Sequence, residues 1–344
     1  MSKTPETGSS STPLQDSVGT LTPSSLHYER HHAGIPAIDP ARHRLVIHGM
    51  VERTLVLTVD EIKRLPSVSR VLVVECGGNS GSEWASRTGA DVQRAYGLAS
   101  CSEWTGVPLS LVLSEVGVRP GASWVIAEGA DACHMQRSIP LAKALDNILL
   151  AYGQNGEAIR PAQGYPLRLI IPGWEGNANV KWLHRLKVTN QPHMTRDETS
   201  KYSDLMPDGK ARLFTFQMEA KSVVTFPSGG QKLPVPGLYE LTGLAWSGRG
   251  RIERVEITTD GGRTWSDARL QEPRLPIAFT RFRLPWRWDG QEAAIASRAT
   301  DESGYVQPSR EELIAARGVN SGYHFNGIKL WKVQPDGTVT NMEG

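Results

Sequence analysis

Near residue 210 the texture of the chain changes, and that change constrains the fold more than any other feature. Up to about residue 190, apolar runs of strand length alternate with short helical patterns. Segments 45–49 and 55–59 read as strands around the polar turn at Glu52-Arg53. Segments 69–75, 124–128, 149–152 and 167–171 read as further strands. Segment 60–64 reads as a short helix stopped by Pro66, 109–116 as a helix closed by Gly117, and 140–146 as a helix with proline near its first turn. From about 191 to 210 the chain is polar and irregular. Beyond it come short strand candidates at 238–244, 251–258, 279–286, 293–300 and 323–333, with a hairpin signal at Thr259-Asp-Gly-Gly262. An α+β domain followed by a β-sandwich is therefore expected, each large enough for its own core.

The 38 Lys and Arg against 36 Asp and Glu leave a net charge of +2 across 344 residues. Such balance excludes a nucleic-acid footprint and a polybasic membrane anchor. No run of about 18 apolar residues exists, so no membrane span is expected. Residues 1–25 are rich in Ser, Thr and Pro and lack an apolar h-region. They read as a flexible arm or a tail laid on the surface, and not as a signal peptide. Only 3 cysteines are present, which excludes a disulfide scaffold. There is no CxxCH for covalent haem, no CxxC, no HExxH and no P-loop. The 34 glycines, 22 prolines and 10 tryptophans point to much irregular, loop-built structure.

Cys76 stands out. It ends the apolar run 69–75 and opens the loop Cys76-Gly-Gly-Asn-Ser-Gly81. A thiolate there suits a nucleophile or a soft metal ligand, while a small buried hydrophobe is the alternative. Cys101 and Cys133 read as packing residues. His134, His184 and His193 are available for a Cys–His pair, but no spacing selects one. His31-His32 on their own read as a solvated turn.

Several motifs carry a resemblance. Tyr28-Glu-Arg-His-His32, Val74-Glu-Cys76-Gly-Gly-Asn79, Trp104-Thr-Gly-Val-Pro-Leu109, Arg137-Ser-Ile-Pro-Leu141, Tyr165-Pro-Leu-Arg168 and Asn179-Val-Lys-Trp-Leu183 occur in that order. Together they resemble the sulfite oxidase family of molybdenum enzymes. Asp260-Gly-Gly-Arg-Thr-Trp265 resembles that family's C-terminal domain. The resemblance implies a molybdopterin-binding domain over 26–208 and an immunoglobulin-like dimerisation domain over 209–344. Within the family, Ser24-Ser-Leu-His-Tyr-Glu-Arg30, Gly78-Asn-Ser-Gly-Ser-Glu-Trp84, Ser203-Asp-Leu-Met-Pro-Asp-Gly-Lys210 and Leu244-Ala-Trp-Ser-Gly-Arg-Gly-Arg251 resemble the bacterial sulfane dehydrogenase branch.

That resemblance implies a molybdenum–molybdopterin cofactor and no haem in this chain. It makes Cys76 the metal ligand, Arg30 the guanidinium facing the metal and an anionic substrate, and Tyr202 the active-site tyrosine. His31, His32, Asp131, Gln163, Arg168, Asn179 and Lys181 match cofactor-binding positions. Arg168 and Lys181 would meet the phosphate, and Gln163 and Asn179 would offer amide donors. The implied setting is the periplasm, with a homodimer through the C-terminal domain, a c-type cytochrome subunit as electron acceptor and a sulfur-carrier protein as substrate. Oxidation of free sulfite is the alternative activity. Ser80, Gly81 and Ala178 stand where animal sulfite oxidases carry arginines. Losing those charges leaves room for a bulkier substrate.

Overall fold

A computed structural model describes residues 2–3, 8–84, 91–319 and 321–342. The first part of the chain forms two five-stranded sheets. In one, Leu149–Gln154 pairs with Glu157–Ala158, Arg168–Ile170 and Ala99–Pro108, and the last of these pairs with Val68–Glu75. In the other, the order is Leu55–Thr58, Arg44–Gly49, Leu183–Thr189, Trp124–Gly129, Gln136–Pro140. The helix Leu109–Val116 buries Leu109, Val112, Leu113 and Val116, one stripe at helical spacing, against Leu45, Val125, Leu150 and Leu186. Each such side chain contributes about 1.5–3 kcal/mol by leaving water. Gly117 ends the helix at a φ of 66°, as the sequence predicts.

Strand Ala99–Pro108 escapes the hydrophobic pattern because its buried positions include serines. Ser100 Oγ lies 2.6 Å from Thr12 Oγ1 and accepts the Tyr28 amide at 2.9 Å, while Ser102 Oγ accepts from Gln154 at 3.0 Å. Satisfied in this way, small polar groups can sit in a central strand. Gly106 is fixed by close approach, since a Cβ there would lie 2.4 Å from the Leu150 carbonyl oxygen.

Of the two readings of residues 1–25, the flexible arm is corrected over the described part and the tail laid on the protein holds. Residues 1 and 4–7 lie outside the described residues. From Gly8 the segment is a strap on the first domain. Gly8–Ser10 pairs antiparallel with Glu29–His31, Thr12 donates its amide to Gly97 at 2.8 Å, and Leu14 is fully buried against Val73 and Tyr96. Composition reads Ser and Thr as solvated. Here Thr22 Oγ1 accepts the Cys101 amide at 3.2 Å, so the hydroxyls find partners inside.

The second part is a sandwich of two antiparallel sheets, as expected. One holds Lys221–Phe226, Gly237–Trp246, Thr280–Trp288 and Arg269–Leu270, and the other Ser266–Asp267, Ile252–Thr258, Ala293–Asp301, Leu330–Val333 and Val339–Asn341. Its core is not separate. Val73, Val92, Tyr96 and Cys101 of the first domain share one buried cluster with Leu244, Trp246, Val255 and Trp331. The Val73 amide also donates to the Ile277 carbonyl at 2.8 Å across the junction. The expected strand 323–333 begins only at Leu330. Residues ahead of it leave the sheet for the first domain: Trp84 Nε1 donates to Tyr323 O at 2.9 Å, and the His324 amide to Gly77 O at 2.8 Å. A helix absent from the pattern, Arg310–Arg317, is started by a capping box between Ser309 and Glu312.

Candidate active site

The strand Glu29–His31, the loop after Glu75, the turns Pro161–Gln163 and Gly176–Ala178, and Tyr202 converge on one pocket. Its volume is about 610 Å³, part of it open to solvent. Cys76, Arg30 and Tyr202 all line it, and so do His31, His32, Asp131, Gln163, Arg168, Asn179 and Lys181. Residues scattered over most of the first domain thus meet at one place.

Cys76 sits where the apolar strand Val68–Glu75 runs out, with its amide bonded to Leu98 O at 2.9 Å. Directly before it, the buried Glu75 carboxylate accepts from Asn79 Nδ2 at 2.8 Å, Lys221 Nζ at 2.7 Å and Trp246 Nε1 at 2.7 Å. Burial pushes the Cys76 thiol above its ordinary pKa, against the pull of the Gly78 amide. A free thiol there is neutral, and a soft cation would take the thiolate.

At the other end lie two buried cations. Lys181 Nζ donates to the carbonyls of Arg30 and Ala162, both at 2.9 Å, and burial, then repulsion from Arg168, lowers its pKa to about 7. Arg168 donates to Gln163 O at 3.0 Å and Gln163 Oε1 at 3.2 Å and lies 5.0 Å over the Trp104 ring. Its pKa falls to about 10 on burial, and its Nε has no hydrogen-bond partner. Among the described residues neither cation forms an ion pair with a carboxylate. Two desolvated cations held this way are short of one anion.

The remaining predicted residues divide in two. Gln163 is aimed by its own bond to Tyr28 O at 2.7 Å, and Asp131 accepts the Met135 amide at 3.1 Å. His31 Nε2 meets Glu29 at 3.1 Å while its buried Nδ1 has no partner. His32 Nε2 reaches Tyr202 Oη at 3.1 Å, and burial, with Arg30 next, lowers its pKa to about 4, so the ring is neutral. Tyr202 adopts a φ of 52° and packs 4.8 Å from Tyr323, with its phenol pKa raised by burial and then by Cys76. Asn179 differs. Its Oδ1 accepts the Ile171 amide at 2.7 Å, and its Nδ2 donates to Trp174 O at 3.1 Å and Glu175 O at 2.8 Å. The expectation of a free amide donor is therefore corrected: Asn179 holds the wall together.

Sequence reasoning missed Tyr28, Asn177 and Trp182 in the wall, Glu175 and His324 behind it, and Tyr323 packed on Tyr202. Glu175 bonds His324 Nδ1 from the second domain and Asn177 Nδ2 at 2.9 Å. Gly77 makes way for it, because a Cβ at Gly77 would lie 2.5 Å from Glu175 Oε2. The glycines around 77 and 176 were a visible signal, whereas nothing local marks His324. The three charge-losing positions are also structural. Gly81 abuts Gly322, where a Cβ would lie 2.6 Å from the carbonyl oxygen, and Ala178 is fully buried in the core. Ser80 is buried at a φ of 62°.

Comparison with known proteins fits this geometry. Residues 32–196 match the family model of the oxidoreductase molybdopterin binding domain, and residues 212–330 that of the Mo-co oxidoreductase dimerisation domain. The chain is 33% identical over 340 residues to the mitochondrial sulfite oxidase of Drosophila melanogaster, covering 90% of this chain and 59% of that protein. It is 32% identical to the sulfite oxidase of Gallus gallus, covering 84% of this chain and 68% of that one. The crystal structure of the sulfane dehydrogenase SoxCD from Paracoccus pantotrophus superposes with a TM-score of 0.97 at 45% identity, covering 100% of this chain and 89% of that chain. No helix among the described residues is long and apolar enough to cross a membrane.

Proposed function

This chain belongs to the sulfite oxidase family of molybdenum oxidoreductases, and from that premise we propose that it oxidises sulfane sulfur carried as a cysteine persulfide on a partner protein. The likeness to a sulfane dehydrogenase over the whole chain, at 45% identity, is the observation that carries the substrate. The pocket chemistry supports it. With no arginine at 80, 81 or 178, Arg30 faces an incoming anion beside the neutral His32 and Tyr202. A persulfide on a tether carries a single charge and arrives through an opening, so one guanidinium and a partly open pocket suit it.

The unpaired Arg168 Nε, the unpaired His31 Nδ1 and the lowered pKa of Lys181 fit an anionic, heteroatom-rich group in this pocket. Lys181 and Arg168 would hold the phosphate of a molybdenum–molybdopterin cofactor, His31, His32, Asp131 and Gln163 its polar ring atoms, and Cys76 its metal. When bound, that cofactor supplies oxygen-atom transfer and accepts electrons in pairs. Arg30 orients the anionic sulfur. Tyr202 Oη, held by His32, keeps a proton for an oxygen of substrate or product, because burial holds the phenol protonated. Tyr323, packed on Tyr202, keeps water from that side of the phenol. The electron acceptor is a separate c-type cytochrome subunit, the partner that the resemblance to the sulfane dehydrogenase branch implies. Two copies pair through the second domain, and the setting is periplasmic.

The likeness to animal sulfite oxidases favours a second reading, oxidation of free sulfite with cytochrome c as acceptor. Initial rates of cytochrome c reduction by the loaded enzyme separate the two. Turnover with a persulfidated carrier protein well above that with sulfite is expected. Fast sulfite turnover with none on the persulfide overturns the first reading.

A further inference from the structure

A second cluster of ligand-type side chains lies outside the Cys76 pocket. Glu128 is buried on strand Trp124–Gly129. His184 lies on the neighbouring strand Leu183–Thr189, and His134 on the connection to strand Gln136–Pro140. His184 Nε2 is 3.0 Å and His134 Nδ1 3.8 Å from Glu128 Oε1, and all three donor atoms lie within 4.8 Å of one another. Arg185 and Gln136 both hold the other carboxylate oxygen, which leaves Oε1 turned to the two imidazoles. Gln136 is itself placed by His193 Nδ1 at 3.1 Å.

We propose that Glu128, His134 and His184 form a site for a divalent transition metal of zinc's class, and that filling it fastens the loop carrying Asp131. Two imidazoles and one carboxylate are a zinc donor set, completed by water in the fourth position. The arrangement is one cation short of a good one. Glu128 Oε1 can bond only His184, since 3.8 Å is beyond hydrogen-bond reach for His134. Metal–ligand bonds of about 2.0–2.1 Å set tetrahedral donor atoms about 3.3 Å apart, so the pairs at 3.0 and 3.8 Å need shifts of a few tenths of an ångström and the two imidazoles swing together to close the third. The hard cations are disfavoured, because nitrogen supplies two of the three donors and Arg185 already offsets the carboxylate charge.

Position gives the site a consequence. His134 leaves the backbone at a φ of 47° on the outer side of the same short connection whose Asp131 lines the Cys76 pocket. Asp131 braces that connection from within, through the Met135 amide at 3.1 Å and Cys133 Sγ at 2.9 Å. A metal on His134 would tie its outer side to strand Leu183–Thr189. Loop mobility at Asp131 would then fall without any change in the pocket's own residues.

The test uses the cofactor-loaded full chain and zinc chloride alone, followed by calorimetry and by metal analysis after desalting. One zinc per chain beyond the molybdenum is expected. His134→Ala, at an exposed side chain, and His184→Ala should each weaken it by more than the roughly 10–100-fold that follows loss of an outer partner. Hydrogen exchange at residues 130–135 should slow on adding zinc to the parent chain and stay unchanged in His134→Ala. Absence of saturable zinc binding, or equal affinity in His134→Ala with native circular dichroism, overturns the site. Zinc binding with unaltered exchange at 130–135 overturns the fastening.

Discussion

The two ends of the Cys76 pocket are built on opposite principles. At the Arg168–Lys181 end, two cations are buried against carbonyls and an indole, and every partner comes from the first domain. At the Cys76–Tyr202 end, Arg30 lines the pocket beside the neutral His32 and Tyr202, the flanking charges are tied up outside the cavity, Glu75 by Lys221 and Glu175 by His324, and Tyr323 and His324 arrive from the second domain. An uncompensated cation pair is costly unless an anion stays with it. An end whose lining offers one guanidinium beside a neutral imidazole and a phenol favours a ligand that comes and goes. One end is shaped for a resident group and the other for a visitor.

That contrast can be broken by substitution. Cys76→Ser removes the soft donor and should cut turnover by about a thousandfold or more, some 4 kcal/mol of barrier, with molybdenum content measured beside it. Retention of full activity would remove Cys76 from the chemistry. Lys181→Met should leave the fold intact but weaken cofactor retention by about 10–100-fold, the worth of one charge-assisted bond of about 1.5–3 kcal/mol. Pterin fluorescence after gel filtration reads it. Tyr202→Phe should lower kcat by about tenfold or more while cofactor content stays constant. An equal loss of cofactor would erase the distinction between the ends. His324→Ala takes the imidazole from Glu175 Oε1, leaving only Asn177 on the other carboxylate oxygen, and should cost about 1–3 kcal/mol of stability, read as a fall in Tm.

A pH series sharpens the same point. In cofactor-free protein the Lys181 pKa is lowered to about 7 in the folded state, below its ordinary lysine value. The unfolded chain then binds more protons than the folded one from about pH 7 up to the ordinary lysine range. The stability linked to this group is therefore lowest below pH 7 and rises with pH across that interval. Lys181→Met should accordingly be more stable than the parent at pH 7 in the cofactor-free form, with the Tm gap closing toward pH 10. A gap that widens with pH would show that the lysine is not the buried cation described.

What the sequence revealed follows from how local each signal is. Cys76 was legible because an apolar strand runs into glycines, and the family resemblance, carried by ordered motifs for seven of the ten expected residues and by looser matches for Asp131, Gln163 and Tyr202, named residues that all line one pocket. The helix Leu109–Val116 was legible to its ends, since its stripe and closing glycine lie within a few residues of each other. The strap from Gly8 and the strand Ala99–Pro108 were not. Their serines and threonines satisfy one another across the fold, and composition counts them as solvated. His324 was invisible for a related reason. Its partner Glu175 lies in another domain, and no spacing encodes that pairing. Asn179 was placed correctly, yet its amide is consumed by backbone groups that no motif reports.

The bracing of Glu75 makes the molecule indivisible. Of the three groups that hold this carboxylate, one residue before Cys76, only Asn79 belongs to the first domain, while Lys221 and Trp246 belong to the second. Excising the sandwich would strip two of the three supports and bare the shared core at Val73 and Tyr96. The first domain cut out alone is therefore expected to lose both the fold around Cys76 and the activity. Whatever strains the sandwich, including its pairing with another copy, is felt one peptide bond from the thiol.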